Sequence, residues 1–286
     1  MTMTMTKFTT QELVALDLNE EPFSVSADPR FLYLTEQHKA HLSRLQDNIM
    51  KRLGLCVIEG PIGAGKTTLA RRLYELCTQD DALEPVYIHT AIYSTRMMAL
   101  RDIVTHFCPD SGRSYLDKIR NFEQYLIDLL KQNKNPVLII DDAQLMAPDS
   151  LQTIQALLNF DISSKLIQII LFGQQEIHKS FSKNPALLNR AIFWRKLDPL
   201  TFAETVQMIH FRLTVAGRFK PLFTEEAIGA IYEASKGVPR TLMVICHETL
   251  HIMVTKGHTE AQGTDVRQAV EIYNERYGSQ DQAPHA

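Results

Sequence analysis

The stretch that decides the fold is Ile58-Glu-Gly-Pro-Ile-Gly-Ala-Gly-Lys-Thr-Thr68. It fits the pattern G-x-x-x-x-G-K-[ST] at every fixed position, with Gly60, Gly65, Lys66 and Thr67 in the four places. Leu55–Glu59 before it is an apolar run of strand length, and Lys66–Cys77 after it has helical spacing. A glycine-rich turn between a strand and a helix lets backbone N–H groups converge on phosphate oxygens, with the positive end of the helix dipole behind them. Gly60, Pro61, Gly63, Ala64, Gly65, Lys66, Thr67 and Thr68 are therefore the candidate nucleotide-binding set. Lys66 would reach the β- and γ-phosphates, and the Thr67 hydroxyl would sit on Mg²⁺.

Moving outward, Val137-Leu-Ile-Ile-Asp-Asp142 is a second apolar run, and it closes on two carboxylates. Like charges at the end of a buried strand repel and resist desolvation unless something holds them. A Mg²⁺ ion bound to ATP would do so, with Asp141 holding the ion through water and Asp142 orienting the attacking water. Further strand-length runs are Pro85–Thr90, Leu166–Gly173 and Phe193–Leu197, each separated from the next by helical patterns. That alternation predicts a five-stranded parallel sheet sandwiched by helices. After Leu200 the pattern turns all-helical. Thr201-x-x-Glu204 is a capping-box spacing, Thr224-Glu-Glu opens a second helix, and two more follow near 240–256 and 264–277. The expected organisation is a mobile segment 1–20, an α/β domain 21–199, a helical domain 200–277 and a disordered tail 278–286.

Composition narrows the class without deciding it. A net charge of −3 neither requires nor forbids a nucleic-acid partner. No run approaches the roughly 18 apolar residues of a membrane span. Cys56, Cys77, Cys108 and Cys246 are scattered, which argues against a disulfide framework or a metal site and for the cytoplasm. Cys246, His247 and His251 share one predicted helix but lack a third metal ligand or acidic helper, so they read as packing and surface residues.

Several motifs together resemble AAA+ ATPases of the ExeA type, the general-secretion ATPases and the related TniB- and TnsC-type transposition regulators. The resemblance runs from Pro22-Phe-Ser-Val-Ser-Ala-Asp-Pro-Arg-Phe31 to about Tyr277. Asp141-Asp-Ala-Gln144 stands for the family's Asp-Glu-Ala-Gln, and Leu171–Glu176 resembles its first sensor. Leu187–Leu200 resembles the segment with the arginine finger, and Gly237-Val-Pro-Arg240 the second sensor. The resemblance implies a P-loop AAA+ domain followed by a small helical lid. It implies that Gln174 contacts the γ-phosphate or the catalytic water and that Arg240, with Pro239, touches the nucleotide from the lid. It implies that Arg190 reaches into a neighbouring subunit's site, with Arg195 a nearby competitor for that role. In each case a donor or cation meets charge that gathers during phosphoryl transfer. Phe23, Phe31 and Tyr33 would either pack around adenine, as the family's N-terminal segment does, or anchor the core.

One departure matters. Asp142 replaces a glutamate, one methylene longer, and a carboxylate drawn back by about 1.5 Å can cost up to about a hundredfold in rate. The resemblance then implies a slow ATP hydrolase acting as an assembly switch. It would form a homo-oligomeric ring or helical filament of roughly six or seven subunits per turn. The expected partners are double-stranded DNA, a transposase and target-selection proteins, with no membrane. Thr95, Arg96, Lys118 and Arg120, on loops, would touch the DNA backbone without reading sequence. The alternative is a secretion-system assembly ATPase without DNA binding. The secretion members continue into a transmembrane helix and a wall-binding region, and the chain reaches Ala286 without either, which favours the transposition reading.

Overall fold

The computed structural model describes residues 7–24, 28–108 and 112–277. The expected tail 278–286 and the first six residues lie outside them. The chain divides into two compact units: residues 36–198, and residues 1–35 together with 199–286.

The unit 36–198 is built on five parallel strands: β1 (Leu55–Glu59), β2 (Leu83–Ile88), β3 (Asn135–Ile140), β4 (Gln168–Gly173) and β5 (Ala191–Lys196), in the order β2-β3-β4-β1-β5. Strand composition sets that order. β1, β3 and β4 are buried along their whole length and take the three central places. β2 carries Glu84 and Pro85, β5 carries Arg195 and Lys196, and both lie at edges, where a missing N–H or a charge is tolerated. Both sheet faces are covered. Leu55, Val57, Leu138, Ile140, Ile169 and Leu171 share a core with helices α4 (Arg96–Phe107), α5 (Tyr115–Lys131), α6 (Pro148–Leu157) and α7 (Ile177–Ser182). The alternate residues Cys56, Ile58, Val137, Ile139, Ile170 and Phe172 are equally buried, with α2 (Glu36–Met50) and α3 (Lys66–Thr78) packed against the sheet. Each such side chain contributes about 2 kcal/mol. The strand starts are knitted by a buried polar chain: Gly54 N–H to Gln168 Oε1 (2.9 Å), Gln168 Nε2 to Asn135 Oδ1 (3.2 Å) and Asn135 Nδ2 to the Ile49 carbonyl (2.7 Å).

The second unit holds α9 (Phe202–Val215), α10 (Glu225–Ser235), α11 (Pro239–Lys256) and α12 (Gly263–Tyr277). The Thr201/Glu204 capping box opens α9 as the spacing predicts. The N-terminal arm corrects two expectations. Residues 7–20 are not a mobile lead: α1 (Thr10–Ala15) is capped by a reciprocal Thr9/Glu12 box, and Phe8, Leu16 and Leu18 are buried. Residues 21–35 group with the helical unit, not with the sheet. Phe23 is wholly buried against Phe223, Phe31 is buried, and Tyr33 bonds Gln207, so these aromatics anchor the helical core. His247 is buried too, and the His251 ring stacks on Phe8 at 3.8 Å.

The cause is Arg212 on α9. Its guanidinium donates to the carbonyls of Pro22 (2.6 Å), Phe31 (3.0 Å) and Ser24 (2.9 Å) and lies 5.0 Å from the Phe31 ring centre. Burial pushes its pKa down to about 10, so it stays charged at neutral pH, and a buried charge without these carbonyls would be costly. Arg212→Met is expected to destabilise the helical unit by about 2 kcal/mol or more and to open the arm to trypsin at Arg30. Thermal melts and limited proteolysis read both effects, and Arg212→Lys should fall between.

Candidate nucleotide site

The candidate site stands at the carboxyl ends of the three central strands, where open α/β sheets place ligands. β1 runs into the phosphate loop, with Gly60 N–H bonded to the Gly173 carbonyl at the end of β4 (3.2 Å). Gly65 is left-handed (φ 96°), as the turn into α3 requires, and a side chain built there would stand 3.6 Å from His38 Nε2 of α2. Thr67 and Thr68 are exposed on the first turn of α3. Lys66 is 7% exposed, and its ammonium donates to the carbonyls of Gly60 (2.9 Å) and Pro61 (2.8 Å). Burial pulls its pKa below the ordinary lysine value, against the charges of Asp141, Asp142 and Glu176, which raise it. A buried ammonium held by carbonyl dipoles, with carboxylates near, is matched to an incoming anion.

Asp141 is 2% exposed. Its Oδ2 accepts the Tyr87 hydroxyl of β2 (3.2 Å), and its Oδ1 accepts the Asp142 N–H (3.0 Å). Burial first, and then the Asp141 carboxylate, push the Tyr87 phenol pKa up, so Tyr87 stays a donor. Asp142 is in the left-handed region (φ 49°, ψ 38°), a conformation that costs about 1 kcal/mol for a residue with a side chain. That turn carries the chain into Gln144, a site residue the sequence reading quoted without assigning it a role. Gln144 Nε2 donates to Asp142 Oδ1 (3.0 Å), and Gln144 Oε1 accepts the Gln174 N–H (2.9 Å). One amide thus ties the acidic turn after β3 to the polar turn after β4. The one advance signal was its place in Asp-Asp-Ala-Gln; the bridge itself depends on the tertiary turn.

The oxygens of Thr67 and Asp141 suit Mg²⁺, a hard cation that takes one or two carboxylates with substrate phosphates. Among the described residues no group of three His, Cys, Asp or Glu offers an all-protein metal cage.

The remaining candidates lie elsewhere. Arg190 closes the turn after α8 (Pro185–Leu188), where its guanidinium donates to Asn159 Oδ1 (2.7 Å). Arg195 is exposed, bonded to the Trp194 carbonyl and 5.1 Å from the Phe193 ring centre. In the helical unit, Lys236 (φ 52°) and Gly237 (φ 74°) make a left-handed turn. Gly237 is required there, because a Cβ would stand 2.0 Å from the Leu200 carbonyl. Pro239 then starts α11 and presents Arg240 exposed in its first turn.

The DNA candidates separate. Thr95 caps α4 by accepting the Met98 N–H, and Arg96 opens that helix, exposed, with its N–H on Asp149 (2.8 Å) and its guanidinium 5.3 Å from the Tyr115 ring centre. Lys118 and Arg120 stand in α5 and not on a loop, because Ser114 and Asp117 form a capping box that starts the helix before them.

A parallel sheet in this order, with a phosphate-loop turn after β1, paired carboxylates after β3 and a polar turn after β4, is the AAA+ class of P-loop fold. Residues 48–181 match the family model described as "AAA domain". The chain is 30% identical over 253 residues to general secretion pathway protein A of Aeromonas hydrophila, covering 84% of this chain and 44% of that protein. It therefore carries an AAA domain and is a homologue of that protein, of which it spans less than half the length. Two solved structures share the fold. Drosophila ORC bound to DNA matches with a TM-score of 0.68 at 16% identity, covering 100% of this chain and 74% of that one. Aeropyrum pernix ORC2, in ADPNP and ADP complexes, matches with a TM-score of 0.62 at 17% identity, covering 88% and 71%. Among the described residues no helix is long and apolar enough to cross a membrane.

Gln144→Ala cuts the link between Asp142 and Gln174 while leaving the phosphate loop alone. It is expected to lower ATP turnover roughly ten- to a hundredfold with nucleotide affinity within about twofold, read by steady-state hydrolysis beside titration of a fluorescent analogue.

Proposed function

We propose that the protein binds ATP with Mg²⁺, hydrolyses it slowly, and uses the bound nucleotide to assemble copies of itself on double-stranded DNA as a target-selection factor for a transposase. The observation that carries the nucleotide half is the bonded run Tyr87–Asp141–Asp142–Gln144–Gln174, whose two carboxylates act on the buried Lys66 ammonium and raise its pKa against burial. Lys66 would exchange its two carbonyl partners for the β- and γ-phosphates. Thr67 and Asp141 would hold Mg²⁺, which supplies charge neutralisation to the phosphates. Asp142 would orient the attacking water, and Gln174 would meet the γ-phosphate. Arg190 would complete a neighbouring copy's site, a head-to-tail contact that builds rings or filaments, and Arg240 would act from the lid.

The DNA half is supported by the exposed Arg96 at the start of α4 and by a fold shared with a DNA-bound ORC. Contacts of this kind hold the backbone and do not read bases. Transposase and target-selection proteins would then meet the assembled copies. A second reading has a specific observation in its favour. The Aeromonas hydrophila relative is a general secretion pathway protein, which fits a secretion-system assembly ATPase without DNA binding.

The two readings part on DNA. The test images purified protein with double-stranded DNA at low salt, with and without a non-hydrolysable ATP analogue, with Lys66→Ala alongside. Rings or filaments on DNA that need the analogue and vanish with Lys66→Ala are expected. Arg96→Ala should lower the slope of log affinity against log salt by about 0.9. Protein that binds the analogue and ignores DNA would sink the DNA reading in favour of the secretion one.

A further inference from the structure

Glu59 is the last residue of β1, directly before the phosphate loop, and only 10% of its side chain is exposed. A carboxylate so placed needs a partner, because an uncompensated buried charge is costly. Among the described residues the ring nitrogen that meets it is His178 Nε2, 2.6 Å from Glu59 Oε2, a close approach whose angles do not make a hydrogen bond, so Oε2 stays a buried acceptor aimed at the imidazole. His178 belongs to α7, the helix that begins just after Gln174, whose carbonyl accepts the Ile177 N–H. The other side of the imidazole stacks on Trp194 of β5, with ring centres 4.5 Å apart and planes 28° apart. Phe181, also on α7, meets the same indole edge-on. β5 begins at Ala191, immediately after Arg190. One ring therefore touches the strand that feeds the phosphate loop and the strand that follows the finger candidate, and it rides on the helix that follows the γ-phosphate sensor candidate.

The phosphate loop has a direct hold on this junction. Lys66 donates to the Gly60 carbonyl, one residue beyond Glu59, and the Glu59 carbonyl accepts the Leu197 N–H at 2.6 Å just past β5. Phosphates that draw Lys66 off the Gly60 carbonyl would leave that peptide free to turn. Glu59 would pass the change to His178, whose ring nitrogen stands against its carboxylate.

We propose that His178 is a positioning residue, which couples nucleotide at the phosphate loop to β5 and so to Arg190 through Glu59 and Trp194. The proposal rests on the nucleotide-binding reading above. It goes beyond it by naming the route from the site to the oligomer-forming arginine.

Trp194 is the only tryptophan in the chain, so its emission reports on the junction alone. The experiment follows intrinsic fluorescence of the full chain while a non-hydrolysable ATP analogue is added with Mg²⁺, with calorimetry measuring binding in parallel. In the native protein, binding should shift the Trp194 emission. In His178→Ala the shift should vanish while analogue affinity stays within about threefold and turnover in the assembled protein falls about tenfold, the size of loss that coupling residues show. Glu59→Gln keeps the shape and removes the charge, so it should weaken the shift with the fold intact, and it serves if His178→Ala does not fold. His178→Gln, which keeps a donor toward Glu59, should recover part of the turnover. Native protein that binds the analogue with no change in Trp194 emission would overturn the proposal, as would His178→Ala with turnover within twofold of native. Failure to bind the analogue at all is a different result, because it removes the nucleotide-binding reading itself.

Discussion

The acidic and sensor turns of the candidate nucleotide site, and the start of its phosphate loop, hang from strands that are buried on both faces. Side chains along β1, β3 and β4 have no solvent to point toward, so hydrophobic residues fill them, and polar residues collect where the strands end. Because the strands are parallel and adjacent, those ends lie in one row. Gly60, Asp141 and Gln174 each stand at or just past the last residue of a strand. The site is the edge of a hydrophobic layer, and its geometry is inherited from strand register more than from the loops themselves. The buried chain Gly54–Gln168–Asn135 at the opposite ends matters for the same reason, since a slip there would displace Asp141 against Gly60.

The helical unit is held by a different kind of constraint. Helices α9 to α12 form an ordinary apolar core, yet that core is incomplete without Phe8, Leu16, Leu18, Phe23 and Phe31 from the arm. Arg212 fixes the arm by its carbonyls, contacts that leave the arm's side chains free to vary. The described residues of 7–35 therefore belong with the helices that follow residue 198 and not with the sheet.

That arrangement marks where sequence was legible and where it was not. The central strands could be read because a fully buried strand is a continuous apolar run, and the α9 start could be read because a capping box is local. The same Thr-x-x-Glu signal stands at Thr9 and Glu12, but a six-residue helix is too short to show an apolar period, and its stability comes from packing that sequence does not display. Edge strand β5 mixes Arg195 and Lys196 with apolar residues, and the strand begins at Ala191, two residues before the expected Phe193. In the site, the residues with a fixed spacing were visible. The long-range contacts, Gln144 with Gln174 and Glu59 with His178, were not. Lys118 and Arg120 lie in a helix and not on the expected loop, because Ser114 is the cap that begins it.

The acidic turn shows two constraints meeting at one residue. Position 142 is left-handed, and aspartate enters that region more readily than glutamate, because its short carboxylate can bond nearby backbone. Here the carboxylate is held back by Gln144, whose other end reports to the turn after β4. A longer side chain would reach farther toward a phosphate and would also have to leave that amide. In the proposed function, a carboxylate tethered to the sensor turn favours long-lived bound nucleotide over rapid turnover. A switch gains from that balance, because copies must stay assembled long enough for a partner to arrive. A motor gains nothing from it.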